Sequence, residues 1–189
     1  MKFRALDLSG AFMIELEPHL DERGLFARTW CADEFEAAGI QAKLVQTNLS
    51  QTEKRGTIRG MHYQRPPSRE GKVVRCIQGG IFDVLVDLRP SSPTFLHHVG
   101  FELTPVNRLA LYIPPGFAHG FQTLADDSQV WYQMTDRYQP GVAGGFRWND
   151  PALSIEWPMP PTMMSERDAT YPDLDIDELE CFRGEHFDV

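Results

Sequence analysis

Glycine and proline punctuate the middle of the chain every eight to twelve residues, a spacing that restricts it to many short strands of a sandwich or barrel. Ile81–Arg89 is the clearest strand: Phe82, Val84, Val86 and Leu88 alternate with Asp83, Asp87 and Arg89, a period of two with one face buried. Lys72–Gln78 precedes it across Gly79-Gly80, where both residues accept positive φ, so a hairpin is expected. Leu96–Leu103, Arg108–Ile113, Phe117–Leu124 and Gln129–Thr135 continue the series, separated by Thr104-Pro105, Pro114-Pro115-Gly116 and Asp126-Asp127. Helix is scarce; the best short candidate is Ala32–Ala38, stopped by Gly39 in the position that relieves a left-handed cap. Residues 150–172 are proline-rich and expected to wrap the barrel rather than extend it. Short strands without βαβ alternation predict a mainly β, double-sheet jelly roll with few short helices.

The length of 189 residues suits one compact domain. The expected division is a domain over 1–172 and a loosely held acidic tail over 173–189. That tail holds seven acids against one arginine, six of the nine net negative charges, leaving −3 on residues 1–172. Such a balance excludes non-specific binding of nucleic acid. No run of eighteen apolar residues is present to span a membrane, and MKFRALDLSGAF lacks the apolar stretch of a secretory signal. Cys31, Cys76 and Cys181 are odd in number and form no CxxC pair, so neither a disulfide framework nor a zinc knuckle is expected, and the cytoplasm is the default compartment. The basic residues Arg55, Arg59, Arg65, Arg69, Lys72 and Arg75 fall within twenty-one positions. The run reads either as a solvated charged face or as a local anion site.

A series of local motifs runs through the chain in order: DERGLF (21–26), QTNLS (46–50), IRGMHYQ (58–64), EGKVVR (70–75), VDLRPSSPTF (86–95), IPPGFAHGFQTL (113–124), WYQMTDRYQPG (131–141), WNDPALSIEWP (148–158) and SERD (165–168). Together they resemble the dTDP-4-dehydrorhamnose 3,5-epimerase family from about residue 3 to about residue 172. The resemblance implies a cupin-like jelly roll, usually a homodimer, that works without metal or cofactor. Its implied substrate is a deoxythymidine-diphosphate 4-keto-6-deoxyhexose, whose C3 and C5 are inverted beside the C4 ketone on the route to L-rhamnose and related deoxysugars.

Epimerising a carbon next to a ketone requires a base, a stabiliser of the enolate oxygen and an acid on the opposite face. The resemblance assigns the base to His62, with Asp168 as its partner. An imidazole titrates near working pH, and a carboxylate on its far nitrogen fixes the tautomer and stabilises the imidazolium. The implied proton donor is Tyr132, a phenol protonated at neutral pH, with Tyr138 as the alternative donor or a substrate contact. On a regular strand Tyr132 shares an inward face with Val130 and Met134. Lys72 is the implied enolate stabiliser, a cation aimed at developing charge. Arg59 matches a diphosphate contact, since guanidinium grips phosphate in bidentate fashion. On a flat strand Arg59 and His62 face opposite ways; either Gly60 marks a bulge, or the two serve different parts of the ligand. Gln46, Asn48 and His119 match sugar- and phosphate-contacting positions, while Arg23 and Phe26 match residues that reach the nucleotide of the neighbouring subunit.

The chain departs from the family pattern at Arg28 and Ala143, where many members carry glutamate, and at Arg167, a substrate contact where lysine is usual. These changes leave the proton machinery complete and the nucleotide open. Three rival readings follow. A mono-epimerase acting at C3 or C5 alone needs the same residues. A metal-dependent cupin is suggested by Pro114, Gly116 and His119, half of a metal signature, but His62-Tyr63-Gln64 supplies no HxH, and adjacent His97 and His98 point to opposite faces of a strand. A non-catalytic sugar-binding cupin has no need of base and acid together.

Overall fold

The computed structural model describes residues 1–184. Two antiparallel sheets pack face to face around a shared apolar interior. The first has six strands in the order β1 (Lys2–Ala5), β2 (Phe12–Glu15), β10 (Ala110–Ile113), β7 (Lys72–Gln78), β12 (Ser128–Met134) and β5 (Gln46–Thr52). The second has five, in the order β13 (Ala143–Gly145), β6 (Ile58–Gln64), β11 (Phe117–Thr123), β8 (Ile81–Asp87) and β9 (His98–Leu103). A separate hairpin pairs β3 (His19–Asp21) with β4 (Gly24–Phe26). The helices are short: α1 (Ala32–Ala37) and α2 (Glu166–Thr170). This is the mainly β, double-sheet arrangement that the strand spacing predicts.

The two sheets bury Met13, Val74, Leu111 and Val130 from one side against Ile81, Leu85, Phe117 and Phe121 from the other. The outer face of the first sheet is covered by α1, whose Phe35 packs on Ile14, Val73 and Tyr112. The outer face of the second is covered by the wrapping segment, with Phe146, Leu153, Leu179 and Phe182 against Tyr63, Val84 and Val86. Residues 150–172 do wrap: Gln122 Nε2 donates to the Met159 carbonyl, and Thr57 forms a bridge with Met163. The tail is anchored as far as it is described, because Leu179 and Phe182 are buried. The expectation of a loose tail therefore fails over 174–182; its end, 185–189, lies outside the described residues.

Two expectations are corrected. β7 and β8 are not a hairpin: β7 pairs with β10 and β12, β8 with β11 and β9. Gly79-Gly80 is a corner between sheets. Gly79, at φ +71°, packs so closely on Ser128 that a Cβ would lie 2.5 Å from its Oγ, and the Gly80 N–H donates to that same oxygen. The second correction concerns β8, which is buried on both faces rather than one, because it lies inside the sheet and is covered above and below. Its acids point into the barrel: Asp83 meets His119 through Oδ2 while its Oδ1 has no hydrogen-bond partner among the described residues, and Asp87 is fully partnered. Asp87 is fully buried and accepts from Arg89 (2.8 Å from both Nε and Nη2), Ser92 Oγ (2.5 Å) and Thr94 Oγ1 (2.7 Å).

Burial pushes the Asp87 carboxyl upward, but the Arg89 guanidinium and the Ser92 and Thr94 hydroxyls outweigh it and hold it below the ordinary range. A carboxyl whose folded pKa is depressed contributes stability above its unfolded value, near 3.9, and loses it as pH falls towards the lower folded value. Asp87→Ala should strand the buried Arg89 cation and cost about 3–5 kcal/mol. Denaturant unfolding should also show a shallower loss of stability below about pH 4 in the variant than in the wild type.

Candidate active site

His62 lies on β6, between β13 and β11, and its position depends on an irregularity two residues earlier. Gly60 has φ +129°, and the β6–β11 register slips between His119 and Phe121. The two strands come so close here that a Cβ on Gly60 would meet the Gly120 Cα at 2.5 Å. Only glycine tolerates both the approach and the dihedral. The slip resolves the parity problem of the sequence: Arg59 and His62 both line one cavity.

Asp168 reaches this strand from α2. Ser165 caps that helix, its Oγ accepting from the Asp168 N–H at 3.1 Å, the S-x-x-D arrangement of a capping box. The Asp168 carboxylate receives His62 Nε2 at 2.7 Å on one oxygen and the Gly60 N–H at 3.3 Å on the other. Burial acts to raise the pKa of this carboxyl, but the hydrogen bond and charge of His62, the Gly60 N–H and Ser165 together lower it. An ionised carboxylate only accepts, so Nε2 carries the proton in this contact. The His62 side chain is 41% exposed against 6% for Asp168: the imidazole is open to solvent, and its carboxylate partner is not. Tyr171 packs edge-on against the imidazole, with centroids 6.0 Å apart.

The cavity beside His62 has a volume of about 300 Å³ and is walled by Arg59, Lys72, His119, Tyr132, Ser165 and Asp168 among others. A second hollow of about 170 Å³ shares His62, Lys72, Tyr132 and Arg167 with it and adds Gln64, Glu70 and Tyr138. Tyr132 is on the inward face of β12 with Val130 and Met134, as its spacing predicts. Its phenol is pushed above the ordinary range by burial first and by the Glu70 charge second, with Arg59 opposing. It is held protonated near neutrality.

His119, on β11, pairs through Nε2 with the fully buried Asp83 at 2.9 Å. Arg59 is steadied by Thr52 Oγ1 (2.9 Å) and the Gln51 carbonyl (3.1 Å). Gln46 and Asn48 are hydrogen-bonded to each other on the face of β5 that also carries Ser50, but only Ser50 reaches the cavity wall. Arg23 and Phe26 do not line this cavity in the single chain: both sit on the exposed β3–β4 hairpin, with Arg23 paired to Asp21 and Phe26 72% exposed. Arg28, one of the departures, donates to Glu34 at 2.6 Å. Asp83, Glu70, Ser165 and Tyr171 are site neighbours that the motif reading did not single out; the S-x-x-D spacing was a usable signal for Ser165. Among the described residues, no three His, Cys, Asp or Glu side chains gather as a metal-ligand set. No helix there is long and apolar enough to cross a membrane.

The family model of dTDP-4-dehydrorhamnose 3,5-epimerase matches residues 5–175. The chain belongs to that epimerase family. The dTDP-4-dehydrorhamnose 3,5-epimerase of Methanothermobacter thermautotrophicus is 41% identical over 176 residues, 92% of this chain and 94% of that protein. The crystal structure of the Bacillus anthracis 3,5-epimerase with TDP and PPi bound superposes with a TM-score of 0.89 at 36% identity, covering 92% of this chain and 99% of that one. A dTDP-4-dehydrorhamnose 3-epimerase of Streptomyces niveus is 38% identical over 169 residues, 89% of this chain and 81% of that protein. The fold is thus the cupin-like jelly roll of these epimerases.

Because β6 and β11 meet through paired glycines, Gly60→Ala combines an unfavourable dihedral with a backbone clash. It should destabilise this epimerase by about 2–4 kcal/mol in urea unfolding. Wild-type stability would show that the two strands can separate at no cost.

Proposed function

We propose that this chain is a metal-independent dTDP-4-dehydrorhamnose 3,5-epimerase, which inverts C3 and C5 of a dTDP-4-keto-6-deoxyhexose through enolate intermediates. The observation that carries the reading is the His62–Asp168 pair opening onto a cavity shared with Tyr132, Lys72 and Arg59. His62 takes the proton of a carbon flanking the ketone, the C–H electrons move into the carbonyl, and the ketone becomes an enolate. Asp168 stabilises the imidazolium so formed. Lys72 faces the developing oxyanion. Tyr132 returns a proton to the opposite face, which leaves a phenolate and an imidazolium to be reset by exchange with water. General acid–base groups of this kind contribute about 10²–10⁴-fold each, so the electrostatic help of Lys72 is needed as well.

In this reading Arg59 and His119 hold the diphosphate, and Gln46, Asn48, Tyr138 and Arg167 surround the sugar and phosphates. The exposed β3–β4 hairpin suits a homodimer, in which Arg23 and Phe26 of one chain reach the nucleotide in the other. A second reading is favoured by the Streptomyces niveus relative: a mono-epimerase using the same groups at one carbon only.

Incubation with dTDP-4-keto-6-deoxyglucose in heavy water, followed by NMR, separates these readings: deuterium at C3 and C5 means double epimerisation, and at one position single. His62→Ala and Asp168→Asn should abolish incorporation, whereas Tyr132→Phe should impair inversion and retain exchange. Wild-type turnover by His62→Ala would falsify the mechanism. Chelators should leave the rate unchanged; a loss restored by added metal ion would overturn the metal-independent reading.

A further inference from the structure

The sequence runs Glu70 into a string of basic residues, where it passes for a surface charge. In the structure it is one of the most enclosed acids near the site. Its side chain is 6% exposed, and its Oε1 lies 3.0 Å from Nζ of Lys72, itself 12% exposed. The other oxygen, Oε2, accepts from Nε2 of Gln64, two residues beyond His62 on β6. The Gln64 amide then accepts, through Oε1, the Gln139 N–H at 3.1 Å. Gln139 follows Tyr138, whose own N–H points to Gln46 Oε1 at 3.5 Å. An unbroken chain of contacts therefore runs from the Lys72 ammonium to the segment that carries Tyr138.

We propose that Glu70 is a positioning residue of the epimerase site: its carboxylate holds the Lys72 ammonium where the two cavities meet and, through Gln64, ties that point to the Tyr138 segment. This rests on the reading that Lys72 stabilises the enolate oxygen.

The physical case is one of donors and acceptors. Lysine has a flexible stem and three rotatable donors, so its charge is placed only if something anchors it. An ammonium this enclosed also needs a counter-charge to remain there as a cation. Gln64 has spent its oxygen on Gln139, so it can offer Glu70 only a donor. Lys72 likewise offers only donors. The residue between them must accept on both sides, which a carboxylate does and an amide cannot. The influence of Glu70 on the Tyr132 phenol agrees with a charge set within reach of the reacting groups. The neighbouring carboxylate weakens the field of Lys72 to some degree, but an unanchored lysine would have no defined field at all.

The test uses the full chain with Glu70→Gln, Lys72→Met, the double variant and Gln64→Met, in steady-state assays with dTDP-4-keto-6-deoxyglucose. Glu70→Gln is expected to lower kcat about 10-fold or more while KM moves less than about 3-fold, the pattern of a misplaced group rather than of lost binding. In the Lys72→Met background the same substitution should change kcat less than about 2-fold, because the two act as one unit. Gln64→Met, which keeps the ion pair and cuts the tie to Gln139, should raise KM more than it lowers kcat. Wild-type kcat in Glu70→Gln, or an equal loss with and without Lys72, would overturn the proposal; unchanged KM in Gln64→Met would remove its second half. Wild-type kcat in Lys72→Met would sink the lysine's role itself, whatever Glu70→Gln shows. Should Glu70→Gln fail to fold, the double variant, which lacks both charges, against Lys72→Met still reads the coupling.

Discussion

The Asp168 carboxylate accepts from two groups that reach it from the same strand for different reasons. The Gly60 N–H is turned towards it by the bulge, and His62 Nε2 comes to it from the next residue on that face. Losing the carboxylate would leave the buried Gly60 N–H without a partner, which is costly, and would free the half-exposed imidazole from its orientation. The tie also works in reverse. The helix that carries Asp168 has only five residues, too short to stand alone, and it is held by the Ser165 cap and by the bridge from Met163 to Thr57 just upstream. The bulge, His62 and the end of the wrapping segment are therefore one mechanical unit.

Other buried acids extend the same logic through the barrel. Asp87 meets Arg89, Asp83 meets His119, and Glu70 meets Lys72, each inside or at the rim of the space between the sheets. The pairs divide by depth. Asp87 and Arg89 are shut away, with the guanidinium 4.7 Å from the Phe117 ring centre, and they serve the corner after β8. The pairs nearer the cavity leave one member facing it, so the buried acid orients a cation or an imidazole that a ligand can meet. A barrel interior lined with acids is compatible with an anionic substrate because every one of these acids sits behind a basic partner.

What could be read in advance follows from which strands carry an apolar alternation. β7 through β12 surround the shared core, so their hydrophobic period and approximate ends were visible in the sequence, whereas the pairing across Gly79-Gly80 was not. β5, with QTNLSQT, was not visible in this way: its inward face carries Gln46, Asn48, Ser50 and Thr52, polar side chains that give no apolar signal. β6 hid for a related reason, since the bulge at Gly60 breaks its period between Arg59 and His62. His62 and Asp168, 106 positions apart, could be joined only through the family resemblance. Asp83 and Glu70 were invisible for the opposite reason: a buried acid has the same letter as a solvated one, and only its neighbours across the sheet disclose the difference.

The geometry also bears on why one site can serve two carbons. C3 and C5 flank the same C4 ketone, so their enolates share an oxygen, and in the proposed mechanism the single cation of Lys72 can face it during either step. On that proposal, what must change between the steps is the carbon presented to His62, with Tyr132 assigned to the other side of the ring. The difference between inverting one centre and inverting two then resides in how the sugar turns between base and acid. On the same proposal, that freedom is set by the residues assigned to the ring, by Tyr138 on its segment and by Arg59 and His119 as the proposed diphosphate contacts. Single and double epimerases can therefore share the His62, Asp168 and Tyr132 arrangement unchanged, and specificity is to be sought in the walls of the cavity rather than in its proton-transfer groups.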